Sequence, residues 1–150
     1  MKKIIKLSLA LLFATSVSLI IVSCSNKYRP VLNSQQGINF KVTTLAKAKE
    51  MAKNQNKPLF VFAHAAWCPT CKQMEQEVLV RKELGEEFNE GIVNVAIDID
   101  SPEGKKFKAL YPIRATPTLF FFNSDGSISR KIEGFTSAED LLKEGKVLKN

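Results

Sequence analysis

Two cysteines with two residues between them, Cys68 and Cys71, are the residues of this chain best suited to chemistry. They follow an apolar run at 58–63 and precede a polar segment with helical spacing at 72–78, so we expect them where a strand passes into a helix. One helical turn brings such sulfurs within bonding distance, which suits reversible dithiol and disulfide exchange. Backbone N–H groups and the dipole at a helix N-terminus favour a thiolate at Cys68. Cys68 is therefore the predicted nucleophile, and Cys71 the more buried thiol that resolves a mixed disulfide.

The same pair has two alternative interpretations, a structural disulfide and half of a zinc site. Structural zinc normally has four ligands, often from two such pairs. The whole chain contains three cysteines and one histidine. This count favours redox chemistry over zinc binding.

The residues around the cysteine pair resemble the thioredoxin family. Trp67 immediately precedes the first cysteine and Lys72 immediately follows the second, as in that family. Thr116 and Pro117, followed by the apolar run at 118–122, look like the family's cis-proline loop and the strand after it. The resemblance implies that Pro117 lies beside the cysteines and that the backbone of Thr116 pairs with an extended substrate. We also expect Trp67 to pack against the domain and to shield part of the sulfur site, where substrate binds.

The similarity covers residues 40–148 and implies an α/β fold of the thioredoxin-like three-layer type. In this fold helices flank a mixed central β-sheet, in the order β-α-β-α-β-α-β-β-α. Apolar periodicity and turn residues predict strands at 40–42, 59–63, 92–99, 118–122 and 127–133. Capping residues predict helices that begin after Thr43 or Thr44, at the cysteine pair with a break near Val80, after Ser101 and after Ser137.

The chain departs from the family at a buried ion pair. Many thioredoxins carry a buried Asp six residues before the first cysteine and a Lys that pairs with it on the next strand, and these positions correspond to Phe62 and Ala96 here. Apolar replacement of a buried ion pair is physically tolerable. Cys71 then lacks the family's base. His64, whose ordinary pKa is about 6.5, is the candidate modulator, either as an imidazolium that lowers the pKa of a thiol or as a neutral proton acceptor.

The segment after the motif resembles one branch of the family. It lacks the proline that many thioredoxins carry five residues after the second cysteine, because Gln76 stands there. The branch includes exported thioredoxin-like lipoproteins and the C-terminal domain of the bacterial transmembrane thiol:disulfide interchange reductase. Glu75 and Glu77 also follow the motif, and we expect them on a solvated helix face.

The N-terminus has the pattern of an export signal. Residues 1–23 begin with lysines and continue as an apolar run that ends in small residues before Cys24. This end resembles the lipobox of bacterial lipoproteins, which implies a lipoprotein signal peptide at 1–23 and lipid attachment at Cys24. An uncleaved membrane anchor is the alternative. Residues 24–39 are interpreted as a flexible tether and 40–150 as the thioredoxin-like domain.

The net charge gives little support for nucleic-acid binding. The formal charge of +7 includes Lys2, Lys3 and Lys6 of the predicted leader. The other lysines are spread along the chain without an interleaved aromatic patch. A solvated basic surface is the expected arrangement.

These patterns and resemblances together predict a thiol:disulfide oxidoreductase that is lipid-anchored outside the bacterial cytoplasm, in the periplasm or on the outer face. The resemblance favours a reductase of exported proteins with disulfides, for which no metal or organic cofactor is needed. Because a reductase in an oxidising compartment must be recharged, we also expect an electron-donating membrane protein as partner. Two alternatives stay open. Cys68, Cys71 and His64 could hold Cu(I), since thiolates are soft ligands, or the fold could act as a non-catalytic binding scaffold.

Overall fold

The computed structural model describes residues 35–149. The predicted leader, Cys24 and most of the predicted tether lie outside the described residues, so the interpretation of these segments stays a prediction. Within residues 35–149, no helix combines the length and the apolar character needed to cross a membrane.

Four strands form one mixed sheet in the order β2-β1-β3-β4. Strand β1 is parallel to β2 and antiparallel to β3, and β3 is antiparallel to β4. The strands are β1 (Leu59–His64), β2 (Val93–Asp98), β3 (Thr118–Phe122) and β4 (Ile128–Glu133). The helices are α1 (Leu45–Gln55), α2 (Pro69–Gln73), α3 (Lys82–Gly91), α4 (Pro102–Leu110) and α5 (Ala138–Leu148), with a π-helical segment (Met74–Val78) after α2. The predicted thioredoxin-like fold, a mixed sheet flanked by helices, is confirmed.

The two central strands are buried along their full length, because helices cover both faces of the sheet. Phenylalanine rings fill much of this core. The ring centroid of Phe60 lies 5.1 Å from that of Phe88 on α3 and 5.2 Å from that of Phe121 on β3. The apolar run at 59–63, predicted as a buried strand, is therefore the centre of the sheet.

Side-chain caps begin three helices at the residues that the sequence predicts. The hydroxyl of Thr44 accepts a hydrogen bond from the N–H of Lys47, and Ser101 and Ser137 cap α4 and α5 in the same way. Each cap satisfies one backbone donor that the first helical turn leaves without a partner. Local sequence thus determines where these helices start.

The prediction of a strand at 40–42 is wrong. Lys41 makes only an isolated parallel bridge to Val95 of β2. The segment before it is nevertheless folded, because Ile38 is 1% exposed and its N–H donates to the carbonyl oxygen of Leu79 at 2.8 Å. The N–H of Asn39 donates to Oδ1 of Asn89. The folded part therefore includes residues just before 40, which were interpreted as the end of the tether.

The helix after the cysteine pair is interrupted, as predicted, near Val80. Helix α2 passes into the π-helical segment Met74–Val78, and α3 begins only at Lys82. A π-helical turn shifts the register of the following side chains relative to an α-helix. Glu77 is exposed, as expected, but Glu75 is 2% exposed, so the expectation of a solvated Glu75 is wrong.

Close backbone packing at Gly104 supports a stability prediction. A Cβ at this position on α4 would overlap the carbonyl oxygen of Asp98 and the Cα of Ile99. Alanine favours a helix over glycine by about 1 kcal/mol, whereas overpacking costs about 1–3 kcal/mol and backbone atoms have little room to move. We expect Gly104→Ala to lower the free energy of unfolding by about 1–2 kcal/mol in urea titrations. Lys105→Ala, on the exposed side of α4, is the control; equal stability of both variants would contradict the prediction.

Candidate functional site

Cys68 and Cys71 form a disulfide where β1 passes into α2. Their Cα atoms are 5.3 Å apart. Cys68 is the N-cap residue of α2, and its Sγ accepts a hydrogen bond of 3.1 Å from the N–H of Cys71. Cys68 is 2% exposed and Cys71 is fully buried. The pair therefore has the predicted location and the predicted order of exposure, with both sulfurs largely covered in this oxidised state.

The loop before β3 reaches the disulfide. The peptide bond between Thr116 and Pro117 is cis, as the resemblance implies. The carbonyl oxygen of Thr116 lies 3.4 Å from Sγ of Cys68. Antiparallel pairing of β1 with β3 brings this loop to the end of β1, since Ala63 is opposite Thr118. Residues 48 positions apart in sequence thus meet at one edge of the sheet.

Trp67 presents an exposed indole beside the disulfide. Its side chain is 64% exposed, and Nε1 donates a hydrogen bond of 2.7 Å to Oδ2 of Asp100. The N–H of Asp100 in turn donates to Oδ1 of Asp98 at the end of β2. The turn after β2 therefore orients the indole, and sequence analysis did not identify Asp100 in this role.

His64 is buried next to Glu75. His64 is 3% exposed, and its Nδ1 lies 3.9 Å from Oε1 of Glu75. The imidazole also stacks on the ring of Phe62, with centroids 5.3 Å apart. Burial lowers the pKa of His64 below its ordinary value of 6.5, and the Asp98 carboxylate opposes this shift in part. His64 is therefore neutral at pH 7, which favours the second of its two predicted roles.

Two apolar residues occupy the positions of the family's buried ion pair. Phe62 of β1 is fully buried and stands opposite Ala96 of β2 in the sheet register. The polar groups near this location are instead His64, two residues later on the same face of β1, and Glu75. Sequence analysis missed Glu75; its spacing of four residues from Cys71 is the signal that could have found it.

No metal-binding group is apparent in the part of the chain that the structure describes. Within residues 35–149, no three or more His, Cys, Asp or Glu side chains are grouped so that they could hold a metal ion. Cys68 and Cys71, two of the three suggested copper ligands, are joined to each other. Cys24, the predicted lipid attachment site, lies outside the described residues.

Because the imidazole of His64 is buried, we expect the folded chain to lose stability in mild acid. The pKa of His64 is lower in the folded chain than in the unfolded chain, so the unfolded chain binds a proton first as the pH falls below about 6.5. The free energy of unfolding should then decrease with falling pH, at most by about 1.4 kcal/mol per pH unit. Urea titrations between pH 7.5 and pH 5.5 measure this slope. The slope should be smaller in His64→Gln, and an equal slope in both proteins would argue against the assignment.

Comparison with known proteins gives one family. The thioredoxin-like domain family matches residues 45–148. The thiol:disulfide interchange protein DsbD of Neisseria meningitidis serogroup A is 26% identical over 114 residues, which are 73% of this chain and 19% of that protein. The chain thus spans about a fifth of the length of the curated relatives that it matches.

Solved structures agree with this match. A putative disulphide-isomerase from Bacteroides thetaiotaomicron is 32% identical, with a TM-score of 0.66, over 75% of this chain and 93% of that one. The oxidised C-terminal domain of Neisseria meningitidis DsbD is 25% identical, with a TM-score of 0.57, over 68% of this chain and 90% of that one. The similarity to DsbD therefore lies in its C-terminal domain.

Proposed function

This chain belongs to the thioredoxin-like domain family, and from this premise we propose that it is a disulfide oxidoreductase that reduces disulfides of exported proteins while tethered to a membrane. One observation carries the proposal of disulfide exchange. The Cys68–Cys71 disulfide caps α2 and lies against the carbonyl oxygen of Thr116 in a cis-proline loop. These groups are where an incoming sulfur and the backbone of a peptide substrate would both bind.

The reduced chain would act through two thiol exchanges. The Cys68 thiolate attacks one sulfur of the substrate disulfide, a Cys68–substrate disulfide forms, and the other substrate sulfur leaves as a thiolate that takes a proton from solvent. Cys71 then loses its proton and attacks Sγ of Cys68, which releases the second substrate thiolate. Two electrons pass to the substrate. The chain is left with the Cys68–Cys71 disulfide, the state seen in this structure.

Hydrogen bonding at Cys68 supports its role as the attacking thiol. The N–H of Cys71 already donates to Sγ of Cys68, and such a bond stabilises a thiolate more than a thiol. Burial of Cys71 has the opposite effect and favours its neutral thiol form. The two cysteines would therefore differ in acidity, as the exchange requires.

The substrate would bind along the edge that Trp67 and Thr116 form. Trp67 offers a 64% exposed apolar surface held by Asp100. The cis-proline loop presents the backbone of Thr116 next to Cys68, where an extended peptide could pair with it. Recognition through backbone and one aromatic ring suits many different peptides.

The tether and the electron source complete the proposal. The lipobox-like sequence before Cys24 supports lipid attachment, and the polar segment after it supports a spacer. Because an oxidising compartment would not keep the dithiol reduced, an electron-donating membrane protein would have to recharge it. Cys24→Ser should release the chain from the membrane fraction of the producing cells, and retention there would reject lipid anchoring.

The decisive experiment measures catalysis and direction together. The purified full chain, added in catalytic amount to dithiothreitol and insulin, should accelerate insulin precipitation relative to dithiothreitol alone. The same chain alkylated at both thiols of the pair is the control. The reduction potential of the Cys68–Cys71 couple, equilibrated with glutathione, decides direction. A value near that of thioredoxin, about −270 mV, supports a reductase, and a value near that of DsbA, about −120 mV, rejects it.

A further inference from the structure

The resolving step of this exchange needs a proton acceptor near Cys71. A thiol attacks as its thiolate, and Cys71 is fully buried, which favours the neutral thiol. The family's acidic position is occupied by Phe62 and its partner position by Ala96, neither of which accepts a proton. Another group must take the proton from Cys71 if resolution is to be fast at neutral pH.

His64 points toward the helical layer that carries Cys71. Residues 60, 62 and 64 lie on one face of β1, because side chains alternate along a strand. On this face the ring of Phe60 packs against Phe88 of α3. The imidazole lies 3.9 Å from Glu75, which belongs to the π-helical segment directly after α2, so it is directed from β1 toward that part of the chain.

Glu75 comes from the same helical segment as Cys71. It follows Cys71 by four residues, a spacing that places side chains on one face about one turn apart. Its carboxylate is 2% exposed and lies 3.9 Å from Nδ1 of His64, and this Nδ1 makes no hydrogen bond within the described part of the chain. A buried carboxylate four residues after the resolving thiol thus lies beside a buried imidazole that has an available nitrogen.

We propose that His64 and Glu75 act as one shared proton site that receives the proton of Cys71 during resolution of the mixed disulfide. The inference rests on the proposed oxidoreductase function. The S–H bond of Cys71 breaks, its proton passes to the pair, and the resulting thiolate forms the bond to Sγ of Cys68. The bond from Cys68 to the substrate breaks, and its electrons leave with the substrate thiolate. The pair later returns the proton to solvent.

The surrounding charges fit this role. The titratable groups that interact with His64 are Glu75 from the π-helical segment and Asp98 from β2. Burial keeps His64 neutral and able to accept a proton at pH 7. The carboxylates of Glu75 and Asp98 then favour the imidazolium that forms. The arrangement stabilises the acceptor only after it has taken the proton.

The experiment measures the rate at which the mixed disulfide on Cys68 is resolved. The reduced full chain is mixed with glutathione disulfide, stopped with acid at intervals, and analysed by mass spectrometry for the glutathione adduct on Cys68 and its loss. Glu75→Gln and His64→Gln should each slow loss of the adduct at pH 7 by roughly 10²-fold, the effect of removing a general base. The double variant should be no slower than the single ones. Glu77→Gln, a change of the exposed glutamate on the same segment, is the matched control and should resolve normally.

The pH profile separates proton transfer from a structural effect. Above pH 9 hydroxide can deprotonate Cys71, so the rates of adduct loss in Glu75→Gln and His64→Gln should approach the wild-type rate. If the two variants lose the adduct more slowly than wild type by the same factor at every pH, the inference is overturned. Wild-type rates of adduct loss in these variants would overturn it as well. A wild-type chain that forms no glutathione adduct, or never resolves it, would instead reject the proposed function.

A measurement on the unaltered chain covers the case in which the variants do not fold. His64 is the only histidine in the sequence, so its imidazole NMR signals are unambiguous. We expect the midpoint of its titration to differ between the oxidised chain and the reduced chain, because the proton site interacts with the sulfurs. The same midpoint in both redox states would overturn the inference.

Discussion

Replacing Cys71 by serine is expected to leave the chain covalently attached to its substrates through Cys68. Attack by Cys68 does not need the second sulfur, and the N–H of residue 71 that donates to Sγ of Cys68 belongs to the backbone and survives the change. The serine hydroxyl cannot displace the substrate thiolate, so the exchange stops at the mixed disulfide. After mixing with insulin, non-reducing electrophoresis should show a covalent adduct of the variant with insulin, and dithiothreitol should cleave it.

Cys68→Ser is the matched variant with the opposite expectation. The remaining thiol at Cys71 is fully buried and lacks the N-cap hydrogen bond, so it should attack insulin poorly. Turnover with dithiothreitol should fall by at least about 10³-fold in both variants, as expected when a nucleophile is removed. Adduct formation should distinguish them. An adduct of Cys68→Ser but not of Cys71→Ser would reverse the assignment of the two thiols.

Much of the fold could be predicted because its determinants are local. Caps at Thr44, Ser101 and Ser137 depend on a few neighbouring residues, and the alternation or continuity of apolar residues indicates which strands are buried. The prediction of a strand at 40–42 is wrong because it used local residues alone, whereas a strand also needs a partner elsewhere in the chain. Its residues favour extended backbone, but only Lys41 reaches β2 with the geometry of a ladder. Strand pairing depends on the position of another segment of the chain, and the spacing of apolar residues does not indicate that position.

The functional site could be predicted in part. The disulfide depends on a spacing of three residues and is visible in the sequence. The approach of Thr116 to Cys68 depends on the pairing of β1 with β3, and only the resemblance to a known family suggested it. The expectation of a solvated Glu75 is wrong because it relies on the charge of the residue, whereas the spacing of four residues from Cys71 indicates the buried side. The π-helical segment that begins at Met74 is not signalled by any local residue, as a proline would signal a kink.

The largest effect on stability is expected for Phe60→Ala. Phe60 is fully buried in β1, and its ring contacts those of Phe40, Phe88 and Phe121, which come from the N-terminal segment, α3 and β3. Truncation would remove contacts with three parts of the fold at once and leave a cavity between them. Changes of this type cost about 3–5 kcal/mol. For a domain of this size the midpoint of thermal unfolding should fall by roughly 10 °C or more.

Phe135→Ala is the control for this change, because it removes the same atoms from a side chain that is 44% exposed and should cost much less. Thermal unfolding followed by circular dichroism, with both cysteines oxidised in every sample, compares the two variants. Because Phe60 and Cys71 belong to the same hydrophobic core, Phe60→Ala should also increase exposure of the sulfurs. The disulfide should then be reduced faster by dithiothreitol at temperatures below the transition. A Phe60→Ala chain with the midpoint of Phe135→Ala would mean that the core is not organised around β1.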